Sequence, residues 1–324
     1  MPNTEAGLKR PLRVRLTIPL SRETQPLAVP GGGRFWNGCE FSINPPESEP
    51  CDFWVVMGFA HDREEAVVAP ENTLFICGEP PAKKNFPPAF CRQFAHMVDT
   101  DARSHHPNLE IFASCLGHGV RLPYDQLYAL PYPIKENRVG VLCSSTAKTR
   151  GQKKRLRFLS RLKKCMGDDI VHFGRGFRPV ENRLDAILPY RFQLVLENSR
   201  SPHYWTEKMS SAYVGWAHPI YHGCPNLAEY FPSDAFTAIN VDDFEGSVAV
   251  IKGLLASQQA ESERVAIRVA RDRVFLDYGV ITRTAKLVKK YHVEAPKRRV
   301  VIRGYKNFRP LDRLWARVIG ADLK

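Results

Sequence analysis

Polar side chains follow an apolar run in the second half of the chain. The run Phe192–Leu196 has the pattern of a buried strand, and Glu197, Asn198 and Ser199 come directly after it. In α/β proteins the carboxyl ends of the strands present the ligand-binding groups. We therefore expect these side chains to contact a ligand.

A second polar group lies at the start of a predicted helix, where Thr206 is followed by Glu207 and Lys208. The helix is indicated by an apolar stripe at helical spacing, formed by Met209, Ala212, Tyr213 and Trp216. Free N–H groups at a helix start attract phosphate oxygens, and Lys208 adds a positive charge there. Because a lysine in the first turn opposes the helix dipole, the pattern favours an anion beside it. The alternative is a capped surface helix that follows a loop.

Two sets of secondary-structure elements must position these groups. In each half of the chain, short apolar runs alternate with patterns of helical spacing, and the runs begin at Leu12, Leu74, Val139, Ile170, Phe192, Pro219 and Phe236. A basic helix is predicted near residues 151–166, and the proline-containing segment 130–137 is predicted to link the two halves. This alternation predicts an α/β fold with two doubly wound domains.

Residues 190–244 resemble the donor-binding signature of the α-1,3-fucosyltransferases, glycosyltransferase family 10. The matching pieces occur in order: Tyr190-Arg191-Phe192, Glu197-Asn198-Ser199, Tyr204-Trp205-Thr206-Glu207-Lys208, Pro219-Ile220-Tyr221-His222-Gly223 and Asp243-Phe244. Arg191 replaces the usual lysine, and His218 stands where the family often has valine. Upstream, Gly174-Arg175-Gly176 resembles the family's glycine-rich stretch.

The resemblance implies a GT-B architecture, in which two Rossmann-like domains face each other and the C-terminal one binds the donor. The predicted boundaries are 1–133 for the N-terminal acceptor domain and 134–305 for the C-terminal GDP-fucose-binding domain. Residues 306–324 are predicted to form a final helix that packs back on the first domain.

The resemblance also implies an inverting transferase that moves L-fucose from GDP-β-L-fucose to a glycan hydroxyl. The implied acceptor is N-acetylglucosamine in an N-acetyllactosamine, Lewis-type or O-antigen unit, joined in α-1,3 linkage. Inversion needs a single displacement, one base on the acceptor side and a transition state that resembles an oxocarbenium ion.

Glu79 is the base that the resemblance implies, because it follows the run Leu74–Cys77 in a strand-end context similar to that of the family's glutamate. It would remove the acceptor proton from the first domain, across the cleft. An acidic residue before two prolines is often a turn residue, however. The other carboxylates near predicted strand ends are Asp52, Asp99 and Asp101.

For the donor, the resemblance implies that Arg175 contacts the diphosphate, with Arg178 as the competing residue. A guanidinium offers a planar fork of donors to phosphate oxygens and stays charged. The donor-binding residues implied by the signature are Glu197, Asn198, Ser199, Tyr204, Thr206, Glu207 and Lys208. No Asp-x-Asp set stands at a strand end, so no metal cofactor is expected.

The net charge of +13 and the pI near 9.4 indicate an anionic partner. The positive excess is concentrated in residues 148–164 and 283–317. We predict that the stretch from Lys286 to Arg317 contacts an anionic membrane surface, which would bring the enzyme to a lipid-linked or surface glycan. The chain lacks a long apolar segment and an N-terminal apolar signal, and its cysteines lack paired spacing. These features predict a cytoplasmic protein, peripheral at the inner membrane face, with reduced and mostly buried thiols.

Three alternatives stay open. One is a GT-B transferase that uses another nucleotide sugar, and a second is an inactive relative that only binds a ligand. The third is a basic nucleic-acid-binding protein, in which Lys153-Lys154-Arg155 and Lys297-Arg298-Arg299 would contact phosphates. No helix-turn-helix, zinc-finger or stacking-aromatic signature accompanies those runs, so nucleic acid is not the expected partner.

Overall fold

The structure is a computed structural model, and it describes residues 10–18, 29–45, 49–58, 63–80, 86–115, 117–258 and 260–308. The described residues fall into two compact units. The first unit comprises those up to Ser114 together with those from Ile281 onward, and the second comprises Cys115–Val280.

The elements are numbered in chain order. The strands are β1 (Leu12–Thr17), β2 (Phe35–Trp36), β3 (Cys39–Ile43), β4 (Phe53–Met57), β5 (Arg63–Val68), β6 (Thr73–Ile76), β7 (His96–Asp99), β8 (Leu109–Ile111), β9 (Glu136–Leu142), β10 (Ile170–Phe173), β11 (Tyr190–Leu196), β12 (His218–His222), β13 (Thr237–Ala238) and β14 (Arg298–Arg303). The helices are α1 (Pro88–Cys91), α2 (Tyr124–Tyr128), α3 (Arg150–Met166), α4 (Glu207–Val214), α5 (Phe244–Ala256), α6 (Glu261–Leu276) and α7 (Val280–Tyr291).

The first unit is built on a sheet with the strand order β2-β3-β1-β4-β6-β7-β8, in which every pair except β2–β3 is parallel. Every residue of β4 is buried, as expected for an interior strand of a parallel sheet. A separate antiparallel pair joins β5 to β14. Because β6 and β7 are parallel neighbours, the residues that follow β6 and the end of β7 lie at the same edge of the sheet.

The second unit contains a parallel sheet with the strand order β10-β9-β11-β12-β13. Helix α3 follows β9 and begins with a capping box, since Thr149 caps the N–H of Gln152 and the Gln152 side chain accepts from the N–H of Thr149. The inner face of α3 packs against the sheet through Phe158, Leu159, Leu162 and Met166. The predicted basic helix and the predicted parallel α/β sheets are thereby confirmed.

The units divide the chain at different points from the predicted boundaries at 133/134 and 305/306. Residues from Ile281 onward belong to the first unit because β14 pairs with β5 and because Asn72 exchanges hydrogen bonds with the backbone of Val293. The segment before β9 belongs to the second unit. There the ammonium of Lys135, within the predicted linker, donates to backbone carbonyls that include those of Ile187 and Gly215.

The predicted terminal helix at 306–324 lies outside the described residues from residue 309 onward. Its beginning is part of a short 3₁₀ turn, Tyr305–Phe308, in the first unit. The rings of Tyr305 and Phe308 lie edge-on to Phe86 and Phe90, at centroid separations of 5.7 and 6.1 Å.

The chain's cysteines are all described and all free, and all except Cys165 are buried. This confirms the prediction that most of the thiols are buried. Within the described residues, no helix is both long enough and apolar enough to cross a bilayer.

His218 is buried at the amino end of β12, where it pairs with Phe192 of β11. Its Nε2 lies 2.9 Å from the Thr237 hydroxyl, and its Nδ1 lies 3.5 Å from a carboxylate oxygen of Glu263, which also pairs with Arg191. Burial lowers the pKa of His218 to about 4, against the opposing effect of Glu263. His218, which stands where the family often has valine, is therefore a residue of the protein's packing. It lies at the opposite end of the strands from Glu197.

We expect His218→Val to reduce the acid sensitivity of the fold. The pKa of His218 is about 4 in the folded protein and near 6.5 in the unfolded chain. Above pH 6.5 the group is neutral in both states and costs no stability. As the pH falls from 6.5 toward 4, only the unfolded chain takes up the proton, so the free energy of unfolding decreases. The parent should therefore lose about 3 kcal/mol of unfolding free energy over that window through this group, and the variant should not.

Urea unfolding at pH 7 and at pH 4.5 measures the difference. His105→Gln is the control, because His105 is exposed in the first unit. Equal pH dependence in the parent and in His218→Val would contradict the assignment.

Candidate active site

Glu197 lies at the carboxyl end of β11 with a side chain that is completely buried. Its carboxylate accepts hydrogen bonds from the backbone N–H of Thr206 at 2.9 Å, from the Thr206 hydroxyl at 2.8 Å and from the Lys208 ammonium at 2.9 Å. A buried carboxylate with this many donors is satisfied within the protein. Glu197 therefore fixes the position of Lys208.

Lys208 lies in the first turn of α4, and 18% of its side chain is exposed. Its ammonium also donates to the Thr206 hydroxyl at 2.8 Å and lies 3.5 Å from a carboxylate oxygen of Glu207. Burial lowers the pKa of Lys208, but Glu197 and Glu207 raise it more, so the pKa lies above its ordinary value. Lys208 is therefore charged at neutral pH. The exposed part of its side chain remains accessible to an anion.

Thr206 is the N-cap of α4, and its hydroxyl accepts a 3.5 Å bond from the backbone N–H of Lys208. The backbone N–H of Thr206 itself goes to Glu197. Thr206 thereby joins Glu197 to Lys208.

Glu207 is partly exposed and lies 3.5 Å from the Arg183 guanidinium. Burial raises the pKa of Glu207, but Lys208 and Arg183 lower it more, and the group is ionised at neutral pH. Of the other signature residues, Tyr204 is buried and Ser199 is half-buried. The Oδ1 of Asn198 is enclosed and has no hydrogen-bond partner among the described residues.

Arg175 lies after β10, in a loop that packs against the loop after β9. The Ser145 N–H donates to the Arg175 carbonyl at 3.0 Å, and Gly176, with a φ of 88°, lies so close to Ser145 that a Cβ there would overlap its side chain. The Arg175 side chain is exposed and makes no ion pair or hydrogen bond with the described residues. Its competitor Arg178 lies over the ring of Phe173, at 4.7 Å. Arg175 is thus the arginine of this loop that is free to meet a ligand.

Gly151, in the first turn of α3, packs directly on the backbone of Asn198, so that an added Cβ would overlap the Asn198 carbonyl oxygen. We expect Gly151→Ala to lower the free energy of unfolding by about 1–3 kcal/mol, the usual cost of overpacking. Gly253→Ala in α5 is the matched control. That glycine has open space around it, and the change should stabilise the protein by about 0.5–1 kcal/mol. Denaturant unfolding of both variants checks the pair, and equal effects would contradict the close packing of α3 on the end of β11.

Glu79 follows β6 at the edge where β7 ends, and its side chain is partly exposed. The other carboxylates considered from the sequence contact neighbouring residues as follows. Asp52 lies before β4, at the opposite edge, where Arg10 and Lys297 outweigh burial and hold its pKa well below the usual range. Asp99 is buried and accepts from the Thr100 N–H and the Ser104 hydroxyl, while Asp101 pairs with Arg103.

A metal site is not formed by the described residues, which contain no group of three or more His, Cys, Asp or Glu side chains placed to hold an ion. Asp242, one of an adjacent acidic pair, bonds to Lys154.

One residue of this region was missed by the sequence analysis. Arg155 of α3 is buried, and its charge acts on both Lys208 and Cys143. The signal was available, because Arg155 stands one helical turn after Gly151 and one turn before Leu159, on the inner face of α3.

Sequence comparisons relate this region to known proteins. Residues 134–264 match the model of the glycosyltransferase family 10 (fucosyltransferase) C-terminal domain. The 4-galactosyl-N-acetylglucosaminide 3-alpha-L-fucosyltransferase FUT6 of Homo sapiens is 34% identical over 96 residues, which cover 28% of this chain and 26% of that protein. The alpha-(1,3)-fucosyltransferase FucT of Helicobacter pylori is 38% identical over 66 residues, 20% of this chain and 13% of that protein. The matched segment thus spans about a quarter of the first relative and less of the second.

A longer alignment extends beyond the second unit. The 3-galactosyl-N-acetylglucosaminide 4-alpha-L-fucosyltransferase FUT3 of Bos taurus is 28% identical over 275 residues, covering 76% of this chain and 68% of that protein. Among solved structures, an alpha1,3-fucosyltransferase with GDP superposes with a TM-score of 0.50 at 16% identity, over 91% of this chain and 95% of that chain. That likeness concerns the fold, and the predicted GT-B class is confirmed. Residues 134–264 are thus similar to the C-terminal domain of glycosyltransferase family 10, the fucosyltransferases.

Proposed function

We propose that the protein transfers L-fucose from GDP-β-L-fucose to a hydroxyl group of a glycan, with inversion at the anomeric carbon. The observation that carries the proposal is the Glu197–Thr206–Lys208 network within the family 10 domain. It keeps an ammonium charged and partly exposed at the carboxyl edge of a parallel sheet, where α/β proteins bind nucleotides.

Departure of GDP places additional negative charge on the diphosphate, and preorganised cations stabilise that charge. Lys208 supplies one cation, held in place by Glu197 and Thr206. Arg175 supplies a second from the loop after β10. Both side chains are already positively charged before the reaction. They can therefore stabilise the diphosphate while its bond to the sugar breaks.

The remaining signature residues would bind the donor. Asn198 has an acceptor oxygen without a partner among the described residues, which suits a hydroxyl group of the nucleotide or the sugar. Ser199, Tyr204 and Glu207 complete the proposed set of donor contacts. Glu197 and Thr206 contribute through Lys208.

For the acceptor, we propose Glu79 as the general base that removes the proton of the attacking hydroxyl. A single displacement then forms the new bond on the opposite face of the sugar from GDP. The proposed acceptor is N-acetylglucosamine in an N-acetyllactosamine, Lewis-type or O-antigen unit, with α-1,3 linkage. The transfer as proposed requires no metal cofactor.

Peripheral contact with an anionic membrane is a separate proposal, based on the positive charge between Lys286 and Arg317. Part of that charge is already paired in the first unit, where Lys290 bonds to Glu110, Lys297 to Asp52 and Arg299 to Glu65. Sedimentation with vesicles that contain or lack anionic lipid tests the contact, and equal binding to both would rule it out.

The transferase proposal is tested by nucleotide release from GDP-fucose, with GDP-mannose and UDP-galactose as alternative donors. Each donor is combined with a panel of galactose- and N-acetylglucosamine-containing acceptors. We expect release that is stimulated by acceptor with GDP-fucose alone. Stimulated release from another donor would support a GT-B transferase with a different nucleotide sugar, and GDP-fucose binding without any release would support an inactive binding module.

A further inference from the structure

The outer face of helix α3 is strongly basic. The helix has eight basic residues among its 17 and no acidic one. Its inner face packs against the sheet of the second unit through apolar side chains. Four of the basic side chains project outward and are exposed, and they belong to Lys153, Arg157, Lys163 and Lys164.

Helix geometry gathers these charges into one stripe. Because an α-helix turns by about 100° per residue, Lys153, Arg157 and Lys164 project within about 40° of one another. This direction is nearly opposite to that of Leu162, which is buried at the centre of the inner face. Lys163 flanks the stripe, which extends for about 16 Å between Lys153 and Lys164 at the rise of an α-helix.

The protein neutralises other charges of α3 but not those of the stripe. Lys154 pairs with Asp242, and Arg161 lies 3.7 Å from Glu245. The side chains of the stripe and of Lys163 make no ion pair or hydrogen bond with any residue that the structure describes. Like charges one helical turn apart repel each other and destabilise the helix.

The helix dipole accounts for only part of this pattern. Basic residues in the last turn of a helix are favourable, which explains Lys163 and Lys164. Lys153 lies just after the first turn and Arg157 near the middle of α3, where the dipole gives a basic residue no advantage. An anionic partner on the outer face would neutralise the whole stripe.

The composition of the outer face favours a lipid surface as this partner. Nucleic-acid sites add aromatic side chains that stack on bases or amide side chains that contact base edges. The exposed positions of α3 contain neither, and besides basic residues they hold only Ser160 and Cys165. A convex row of flexible cations suits a flat surface, where mobile anionic headgroups can gather around it.

We infer that the outer face of α3 binds a membrane surface that contains anionic lipids. The contact is electrostatic, because the exposed positions of α3 include no large apolar side chain that could insert. It differs from the contact proposed for the stretch Lys286–Arg317, whose described residues belong to the first unit. The inference goes beyond the proposed function, since it depends on neither the donor nor the acceptor.

Three variants with the same loss of net charge test the inference. The first removes the exposed charges of α3 and is Lys153→Gln/Arg157→Gln/Lys163→Gln/Lys164→Gln. The second removes charges of the rival surface and is Lys286→Gln/Lys289→Gln/Arg298→Gln/Arg303→Gln. The third is a control with scattered exposed positions, Arg92→Gln/Arg121→Gln/Lys252→Gln/Arg268→Gln. Sedimentation with phosphatidylcholine vesicles that contain or lack phosphatidylglycerol measures binding, and a double-stranded oligonucleotide is titrated separately.

We expect the α3 variant to lose about a hundredfold to a thousandfold in affinity for the anionic vesicles, because each basic residue at such a surface contributes several-fold. The scattered control should bind like the parent, and binding by the parent should weaken as the salt concentration rises. Thermal unfolding, GDP binding and transfer to a soluble acceptor should be unchanged in the α3 variant.

The inference would be overturned if the parent did not prefer anionic vesicles, or if the α3 variant bound them as tightly as the scattered control. A loss confined to the variant of the Lys286 stretch would overturn it and assign the contact to the first unit. Binding of the oligonucleotide through α3, without binding of vesicles, would make nucleic acid the partner. If vesicle binding depends on α3 but no fucose is transferred, the inference stands and the proposed function falls.

Discussion

Glu79→Gln should lower kcat by about 10²–10⁴-fold, which is the usual contribution of a general base, and leave the affinity for GDP unchanged. The amide has nearly the shape of the carboxylate but cannot accept the proton of the attacking hydroxyl. Glu79 belongs to the first unit, whereas the nucleotide-binding residues proposed here belong to the second. A loss of turnover without a loss of GDP affinity would show that Glu79 acts in proton removal and not in nucleotide binding.

Initial rates, together with GDP titrations, check this prediction. Glu71→Gln, an exposed carboxylate of the same unit, is the control for charge. Asp99→Asn tests the neighbouring strand end, and an inactive Asp99→Asn combined with an active Glu79→Gln would transfer the role of base to Asp99.

Lys208→Met has the second largest expected effect, and it acts on activity and on stability. Removal of a preorganised cation at the leaving group should lower kcat by about 10²–10³-fold. It would also leave the buried carboxylate of Glu197 without its countercharge, which typically costs about 3–5 kcal/mol of unfolding free energy.

The double variant Glu197→Gln/Lys208→Met distinguishes the two effects. With both charges removed, most of the lost stability should return, while kcat should stay as low as in Lys208→Met. Denaturant unfolding and initial rates on the single and double variants provide the comparison. If Lys208→Met were destabilised but kept the parent's kcat, Lys208 would serve the fold alone.

The location of the site could be predicted from the sequence because strand ends and helix starts leave local signals. Polar residues after the run Phe192–Leu196 and a threonine before an apolar stripe placed Glu197 and Thr206 correctly at the ends of β11 and α4. Their partners were not predictable from those signals. Whether a strand-end carboxylate faces a ligand or a lysine depends on how two elements pack, and here Glu197 turns to Lys208.

Arg155 shows a related limit, because the order of charges along a sequence does not show which of them face the interior. In the run Lys153-Lys154-Arg155, the three residues look equivalent, but they point in different directions around a helix. Lys154 pairs with Asp242 at the surface, whereas Arg155 lies on the inner face with Leu159. The helical phase of a basic residue is therefore more informative than its membership of a basic run.

The division into units could not be derived from local pattern. Residues from Ile281 onward return to the first unit through the pairing of β14 with β5, two strands more than two hundred residues apart, as the partners Arg298 and Val68 show. Such a pairing leaves no signal near either strand. The same holds for Lys135, whose bonds to backbone carbonyls fix a segment that had the composition of a linker.

The most direct test of the central claim is analysis of the product formed from GDP-fucose labelled with ¹³C at the anomeric carbon. The parent protein is incubated with this donor and the acceptor panel, and the purified glycans are examined by mass spectrometry and NMR. The account predicts an acceptor that gains one deoxyhexose residue with an α-anomeric signal. A β-linked product would contradict inversion, and the absence of labelled glycan from every acceptor would contradict the assignment as a fucosyltransferase.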